Sequence, residues 1–350
     1  SYYVATANPF APAPALDADI EADIVVVGGG YTGLHTALSA AERGYSVALL
    51  EAGKIGWGAS GRNGGQLIPG WRKGASELVK LYGERRAREL FDLALRAREE
   101  VLATISANRL RCDLVQSGHL LAAAKPGDLA WMREEVETLK RVMDYHDARV
   151  LSASETAEEV ASPRFHGGLL DARGGHFHPL NYSLGLAEVA RNRGVRLFEQ
   201  TRAIAMETAS GVVVRSAGGS VRARFGVLAC DALLEGLEPR IAGRIMPVAN
   251  YLVATAPLAT PATLIAHNLA ISDTRFVVNY FRLSADGRLI FGGGERYTPS
   301  PPQDMASFVR PFILKVFPQL AETPIEYAWG GLVSITMSRM PHIGRLGDLY

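Results

Sequence analysis

The segment DIVVVGGGYTGLHTALSAAERGYSVALLE, Asp23 to Glu51, decides how this chain is read. Ile24 to Val27 is a β-branched run, three glycines follow without a linker, and from Tyr31 small and apolar residues recur at helical spacing up to Gly44. YSVALLE then reads as a second buried strand ending in an acid, so the whole is a βαβ unit with parallel strands. Gly28, Gly30 and Gly33 give the spacing GxGxxG at its turn. The first permits the turn, the second lets backbone approach a pyrophosphate, and the third lets helix and strand pack closely. The helix N-terminus offers unpaired N–H groups and a positive dipole to phosphates. Glu51 stands 18 positions beyond Gly33, close to the roughly 20-residue spacing of a ribose-binding acid. A dinucleotide site follows, without deciding between nicotinamide and flavin.

Bulk composition narrows the function classes. With 350 residues the chain exceeds the size of most single cores, and two domains are expected. Net charge is +1 and the basic residues are interspersed with acids, which argues against a nucleic-acid partner. Cys112 and Cys230 lie far apart in no metal or redox spacing, which suits a reducing compartment and makes the cytoplasm the expected location. Residues 1–22 lack a positively charged start and an apolar core, so they read as an extended arm rather than a signal peptide. No apolar run approaches the roughly 20 residues of a membrane span, and no membrane association is expected.

Farther on, residues 76–106 read as a helix burying Leu78, Leu81, Leu90, Leu93, Leu95, Val101 and Leu102. LVQSGHLLAAA reads as a strand, DLAWMREEVETLKRVMDYH as a charged helix, and Asn181 to Arg193 as a further helix. VRARFGVLAC ends in a buried strand, FVVNYFRLSADGRLIFGGG is a hairpin turning at SADG, and Pro299 to Pro302 opens a loop before a helix over Met305 to Phe317. The expected division is a nucleotide domain of 23–110, 178–240 and 326–350, interrupted by a β-rich substrate domain of 111–177 and 241–325.

Directly after Glu51 comes GWGASGRNGGQ, Gly56 to Gln66. Successive glycines let backbone N–H groups turn toward an anion, and Ser60, Arg62 and Asn63 can add donors. His176 and His178 in GGHFHP are too few for a metal site, and structural roles are expected for them.

Together with the opening unit and GWGASGRNGGQ, the stretches GGHFHPLNY, FVVNYFRLSADGRLIFGGG and WGGLVSITMSRMPHIGRL resemble the D-amino-acid oxidase superfamily of FAD-dependent oxidoreductases, which includes glycine oxidase and sarcosine oxidase. Within it they are most similar to the γ-glutamylputrescine oxidoreductase-like branch. The resemblance runs over nearly the whole chain and implies an α/β fold, a Rossmann-like FAD-binding domain interleaved with a β-rich α+β substrate domain. It implies FAD, with adenosine near Glu51, Ala52 and Lys54 and pyrophosphate on Gly28, Gly30, Tyr31, Thr32 and Gly33. Gly58, Ala59, Ser60, Arg62, Asn63, Gly64, Gly65 and Gln66 would lead to the flavin ring. Ala203 would meet the adenine, Ala229 and Cys230 the ribityl chain, and Gly344 completes the set. Cys230 is read as a small buried residue rather than a covalent flavin link.

In glycine oxidase and its relatives an Arg in a GLRP-like motif clamps the substrate α-carboxylate, whereas this chain has GLVS, with Val333 at that position. Valine cannot form the bidentate pair. An amine without a carboxylate beside its reacting carbon is therefore expected, unless Arg339 substitutes. Tyr280, Asn279, Trp329, Val333 and His119 are the pocket candidates; no catalytic side chain, metal or carboxylate pair is assigned, because the flavin would carry the chemistry. The implied reaction takes a primary amine of the γ-glutamylputrescine type to an aldehyde, ammonia and, with O2, hydrogen peroxide. An N-methyl amino acid oxidase, an amine dehydrogenase that ignores oxygen, and a flavin-binding protein without turnover are the alternatives. Relatives continue past the PHIG motif with a strand, a glycine-rich turn and a helix, so a chain ending at Tyr350 is expected to hold FAD weakly or not at all.

Overall fold

A computed structural model describes residues 1–208, 211–297 and 301–350 of the chain; the loop expected at Pro299 to Pro302 falls partly outside them. Six strands form a first sheet in the order Arg196–Phe198, Val47–Leu50, Ile20–Val27, Ser220–Leu228, Val212–Arg215 and Ala205–Glu207. The first four are parallel, and Val212–Arg215 is antiparallel to both of its neighbours. Alternation along the strands explains the two buried faces. Val26, Val47 and Leu49 pack under the helices Tyr31–Glu42 and Pro179–Asn192, while Val25, Val27, Ala48 and Leu50 join Val212, Val214 and Val221 on the opposite side.

Eight strands form the second sheet, ordered Ile325–Thr336, Ile245–Thr255, Leu289–Arg296, Tyr280–Leu283, Ala270–Asp273, His119–Ala122, Gly168–Asp171 and Ala148–Leu151. The hairpin turning at SADG is present, with Leu283 opposite Leu289. Helix Met305–Val316 lays Val309, Ile313 and Val316 against Phe281 and Phe291 of this sheet.

Three expectations need correction. Residues 326–336 do not rejoin the nucleotide domain, because strand Ile325–Thr336 pairs along its length with Ile245–Thr255. Helix Ala75–Ala107 is broken at Gly83, where φ is 76°, and its first half packs Leu78, Ala87 and Phe91 against Met132, Val136 and Leu139 of helix Asp128–Arg141. That break turns Leu81 and Leu93 outward, where they are 52% and 44% exposed. The arm is anchored: Tyr2–Ala5 is a helical turn whose Tyr2 and Tyr3 are buried, Tyr3 lying edge-on to Trp329 at 5.1 Å and to His178 at 4.9 Å. Its two aromatic rings bury too much apolar surface for the segment to stay free.

Both histidines of GGHFHP are buried. His176 Nε2 lies 2.9 Å from the Asn268 carbonyl oxygen, and His178 Nδ1 accepts from the Asn181 N–H, capping the helix that follows. His119 is also buried, with Nε2 2.9 Å from Ser272 Oγ. Among the described residues no group of three or more His, Cys, Asp or Glu is placed to hold a metal, and no helix is long and apolar enough to cross a membrane.

Burial pushes the three rings down, His119 and His178 to about 4 and His176 to about 3, with Arg282 adding to the effect on the last two. Each is neutral in the fold and charges more readily when unfolded. Stability from them is therefore complete above pH 6.5 and lost as pH falls toward 4, by roughly 1 kcal/mol per pH unit per ring. Urea midpoints measured from pH 7 to pH 4.5 should fall on this slope, and H178N, which keeps a cap acceptor, should fall less steeply than the parent.

Candidate cofactor and substrate site

The turn after Ile20–Val27 is built by close backbone approach. Gly28 has φ +115°, and a Cβ there would lie 2.4 Å from the Ala229 carbonyl oxygen; one on Gly33 would lie 1.9 Å from the Gly28 carbonyl oxygen. Strand, helix and the Leu228–Cys230 strand end thus converge at one point, fixed by the Gly28 N–H donating to the Leu50 carbonyl and the Ala229 N–H to the Val27 carbonyl, both at 2.8 Å. Helix Tyr31–Glu42 starts without a side-chain cap on Gly30. The Tyr31 N–H donates to Ser60 Oγ at 3.0 Å, and the neighbouring Gly30 and Thr32 front a cleft of about 1970 Å³.

Glu51 holds this loop in shape. Its two oxygens accept from the Gly29 and Gly53 N–H groups, each at 2.7 Å. Both keep free lone pairs, so the carboxylate can also receive hydroxyl groups of a ribose. Gly28, Gly30, Tyr31, Thr32, Glu51, Ala52, Gly58, Ala59, Ser60, Arg62, Ala203, Ala229, Cys230 and Gly344 all line the cleft. Gly33 does not, since its place is behind the turn; Lys54 is exposed and Gly65 is buried, and neither reaches the cleft. Cys230 is a free thiol, its Sγ 3.3 Å from the Val27 carbonyl oxygen. Burial first, and then the Glu51 charge, pushes it up to about 12, so no thiolate forms at neutral pH.

Arg62 acts as a tie. Its guanidinium donates to the carbonyls of Trp57 and Gly330, the latter at 3.1 Å, and lies 4.9 Å from the Trp57 ring centroid. Trp329 Nε1 donates to the Arg62 carbonyl at 2.9 Å from beneath. Gly56–Gln66 is thereby bound to the second sheet. Gln66 also pairs with His176 across a two-stranded ladder, and its side-chain amide donates to the Ile271 carbonyl. Asn63 Nδ2 donates to the Ala59 and Ser60 carbonyls, and its Oδ1 accepts from the Gly65 N–H. In this loop, therefore, the polar side chains mostly brace backbone rather than wait as anion donors.

A second cavity, about 430 Å³, adjoins Asn63, Gly64 and Gln66. Tyr280 walls it, its ring filling the space that a Cβ on Gly64 or Gly292 would need, and its hydroxyl donates to Asn250 Oδ1. Val333 lines this cavity and the large cleft alike. Of the other pocket candidates, Asn279 is buried against Asp273, Trp329 sits behind Arg62, and His119 lies within the second sheet; none reaches either cavity. Sequence reading missed Asn250 and Glu295, which also line it. The only sign of the latter was the glycine run that precedes it.

A model of the family described as FAD dependent oxidoreductase (DAO) matches residues 23–350. The chain is 40% identical over 349 residues to the γ-glutamylputrescine oxidoreductase of Escherichia coli strain K12, covering 99% of this chain and 82% of that protein. It is 36% identical over 342 residues to a probable oxidoreductase, OrdL, of Rhizobium meliloti, covering 97% and 80%. Among solved structures, glycine oxidase from Geobacillus kaustophilus superposes with a TM-score of 0.80 at 20% identity, over 94% of this chain and 88% of that one. The chain belongs to the DAO family of FAD-dependent oxidoreductases, and FAD is its cofactor. The glycine cradle and the uncapped helix start fit that group.

Gly33→Ala should separate helix from strand and abolish flavin retention, whereas E51A should weaken FAD binding by roughly 10- to 100-fold through loss of its charged hydrogen bonds. Equilibrium titration of each apoprotein with FAD, followed by flavin fluorescence, checks both.

Proposed function

We propose that this FAD-dependent oxidoreductase oxidises a primary amine with no carboxylate beside the reacting carbon, of the γ-glutamylputrescine type, to an aldehyde and ammonia, with O2 as the final acceptor giving hydrogen peroxide. One observation carries this reading. Among the described residues the small cavity beside Gly64 is lined by no Lys, Arg or His, and it is lined by Val333, which the motif resemblance sets at the position of the carboxylate-clamping Arg. The substrate class named for the Escherichia coli relative supports the same choice.

FAD, when bound, supplies the two-electron acceptor for oxidation of the carbon bearing nitrogen. The protein's part is position and dryness. Tyr280, Phe177, Val278 and Val333 give the cavity apolar walls, which favour the neutral amine over the ammonium and so free the nitrogen lone pair to assist loss of hydride from the carbon. Tyr280 stays protonated, because burial, then Tyr3 and Glu295, raise its phenol above the usual range. Its hydroxyl is already given to Asn250, which fixes the ring as a wall. Water then hydrolyses the imine product. No side chain is required as a strong base.

An anaerobic screen of amines and amino acids, read as loss of flavin absorbance, tests the proposal. Primary aliphatic amines should bleach the flavin with an efficiency at least ~10-fold above glycine, sarcosine or D-alanine, the size of effect expected when one charged contact is lacking. Readmitted oxygen should restore the colour and yield peroxide. Faster bleaching by sarcosine with formaldehyde release would point to the N-methyl amino acid reading, with Arg339 in the large cleft as the carboxylate anchor.

A further inference from the structure

We infer that Glu295 selects the substrate by pairing its carboxylate, at the mouth of the small cavity, with the ammonium form of the incoming amine, which gives its proton to solvent before the neutral nitrogen passes between the apolar walls, an inference that rests on the amine reading above. Among the described residues Glu295 is the one carboxylate lining the small cavity, and it also lines the large cleft, so it stands where the two meet. The group is half-buried and uncommitted. Among the described residues it forms no ion pair, and its side-chain hydrogen bond is a long one from the Tyr297 hydroxyl, 3.3 Å. Two other acids of the cleft are occupied, Glu51 by two backbone N–H groups and Glu235 by Arg202, and Asp231 lines the large cleft but not the small cavity.

The strand around Glu295 is built to hold it there. Glu295 pairs in register with Asn250, whose amide is already spent on the Gly294 carbonyl and the Tyr280 hydroxyl. Among the described residues no hydrogen bond joins Asn250 to the carboxylate. Gly292, three residues earlier, is covered by the Tyr280 ring; a Cβ there would lie 2.1 Å from it. Glu295 itself lines both the small cavity, beside the fixed Tyr280 ring, and the large cleft. A partly desolvated carboxylate without a cation attracts an ammonium and repels an α-carboxylate, which adds a repulsive element against amino acids to the loss of the guanidinium at Val333.

The test compares the parent with E295Q, E295D and E295S, using n-butylamine and 1,4-diaminobutane in anaerobic flavin reduction. E295Q and E295S should need at least ~10-fold more amine for half-maximal reduction, with limiting rates within about 3-fold of the parent. E295D should recover part of the affinity. Flavin content and melting temperature should be unchanged, which separates this role from a structural one. Should E295Q fail to hold flavin, E295S decides on the same readout. A parent reduced by amines with E295Q and E295S saturating at parental concentrations overturns the role of Glu295 alone. A parent that no amine reduces overturns the amine reading and this inference with it.

Discussion

Gly33 admits no side chain because a Cβ would lie 1.9 Å from the Gly28 carbonyl oxygen, and Gly28 admits none because one would lie 2.4 Å from the Ala229 carbonyl oxygen. Three backbone segments, from strand Ile20–Val27, helix Tyr31–Glu42 and the end of strand Ser220–Leu228, therefore touch without side chains between them. Every later feature of the cofactor cleft depends on that contact. It brings the uncapped helix start to the carboxyl end of the parallel strands, where a pyrophosphate can be received. It also brings Glu51 within reach of the Gly29 N–H, so the acid that would hold ribose also stiffens the loop that would hold phosphate.

A second close contact joins the two sheets. Gly64, on the loop leaving the first sheet, and Gly292, inside the second, leave room for the Tyr280 ring. Arg282, two residues along the same strand, donates to the Gly64 carbonyl at 2.7 Å. From the other side Arg62 reaches the Gly330 carbonyl and Trp329 reaches Arg62. The loop is thus clamped by backbone-directed hydrogen bonds from both neighbours, each worth most where water is excluded. The clamp sets the small cavity's size and chemistry: an aromatic wall, an apolar floor at Val333, and Glu295 at its edge.

The nucleotide half of this site was legible in the sequence because its determinants are local. Glycine spacing, strand, helix and terminal acid occupy consecutive residues, and physics restricts what can stand at each. Gly56–Gln66 was legible in position but not in role. Its Arg62, Asn63 and Ser60 look like anion donors in a glycine-rich run, yet Arg62 and Asn63 spend their donors on protein carbonyls. Substrate residues were the least legible. Asn279 and Tyr280 are adjacent, and only strand register decides that Tyr280 faces the cavity while Asn279 is locked to Asp273. Trp329 and His119 are buried in contacts with partners over 150 residues away, which no local pattern reveals. The anchored Tyr2 and Tyr3 and the long pairing of Ile325–Thr336 have the same cause, since both depend on what the sheet edge and the core leave open.

The central claim is that one glycine-built backbone contact places the cofactor so that its reactive ring borders the cavity of Tyr280, Val333 and Glu295. A crystal structure of the flavin-loaded protein with n-butylamine, reduced and kept anaerobic, tests this most directly. The pyrophosphate is predicted against the amides of Gly30 and Thr32, the ribose on Glu51, and the flavin ring beside Gly64 with the amine between it and Tyr280. A flavin ring turned away from Gly64, or an amine bound outside the cavity that Tyr280 walls, would contradict the account.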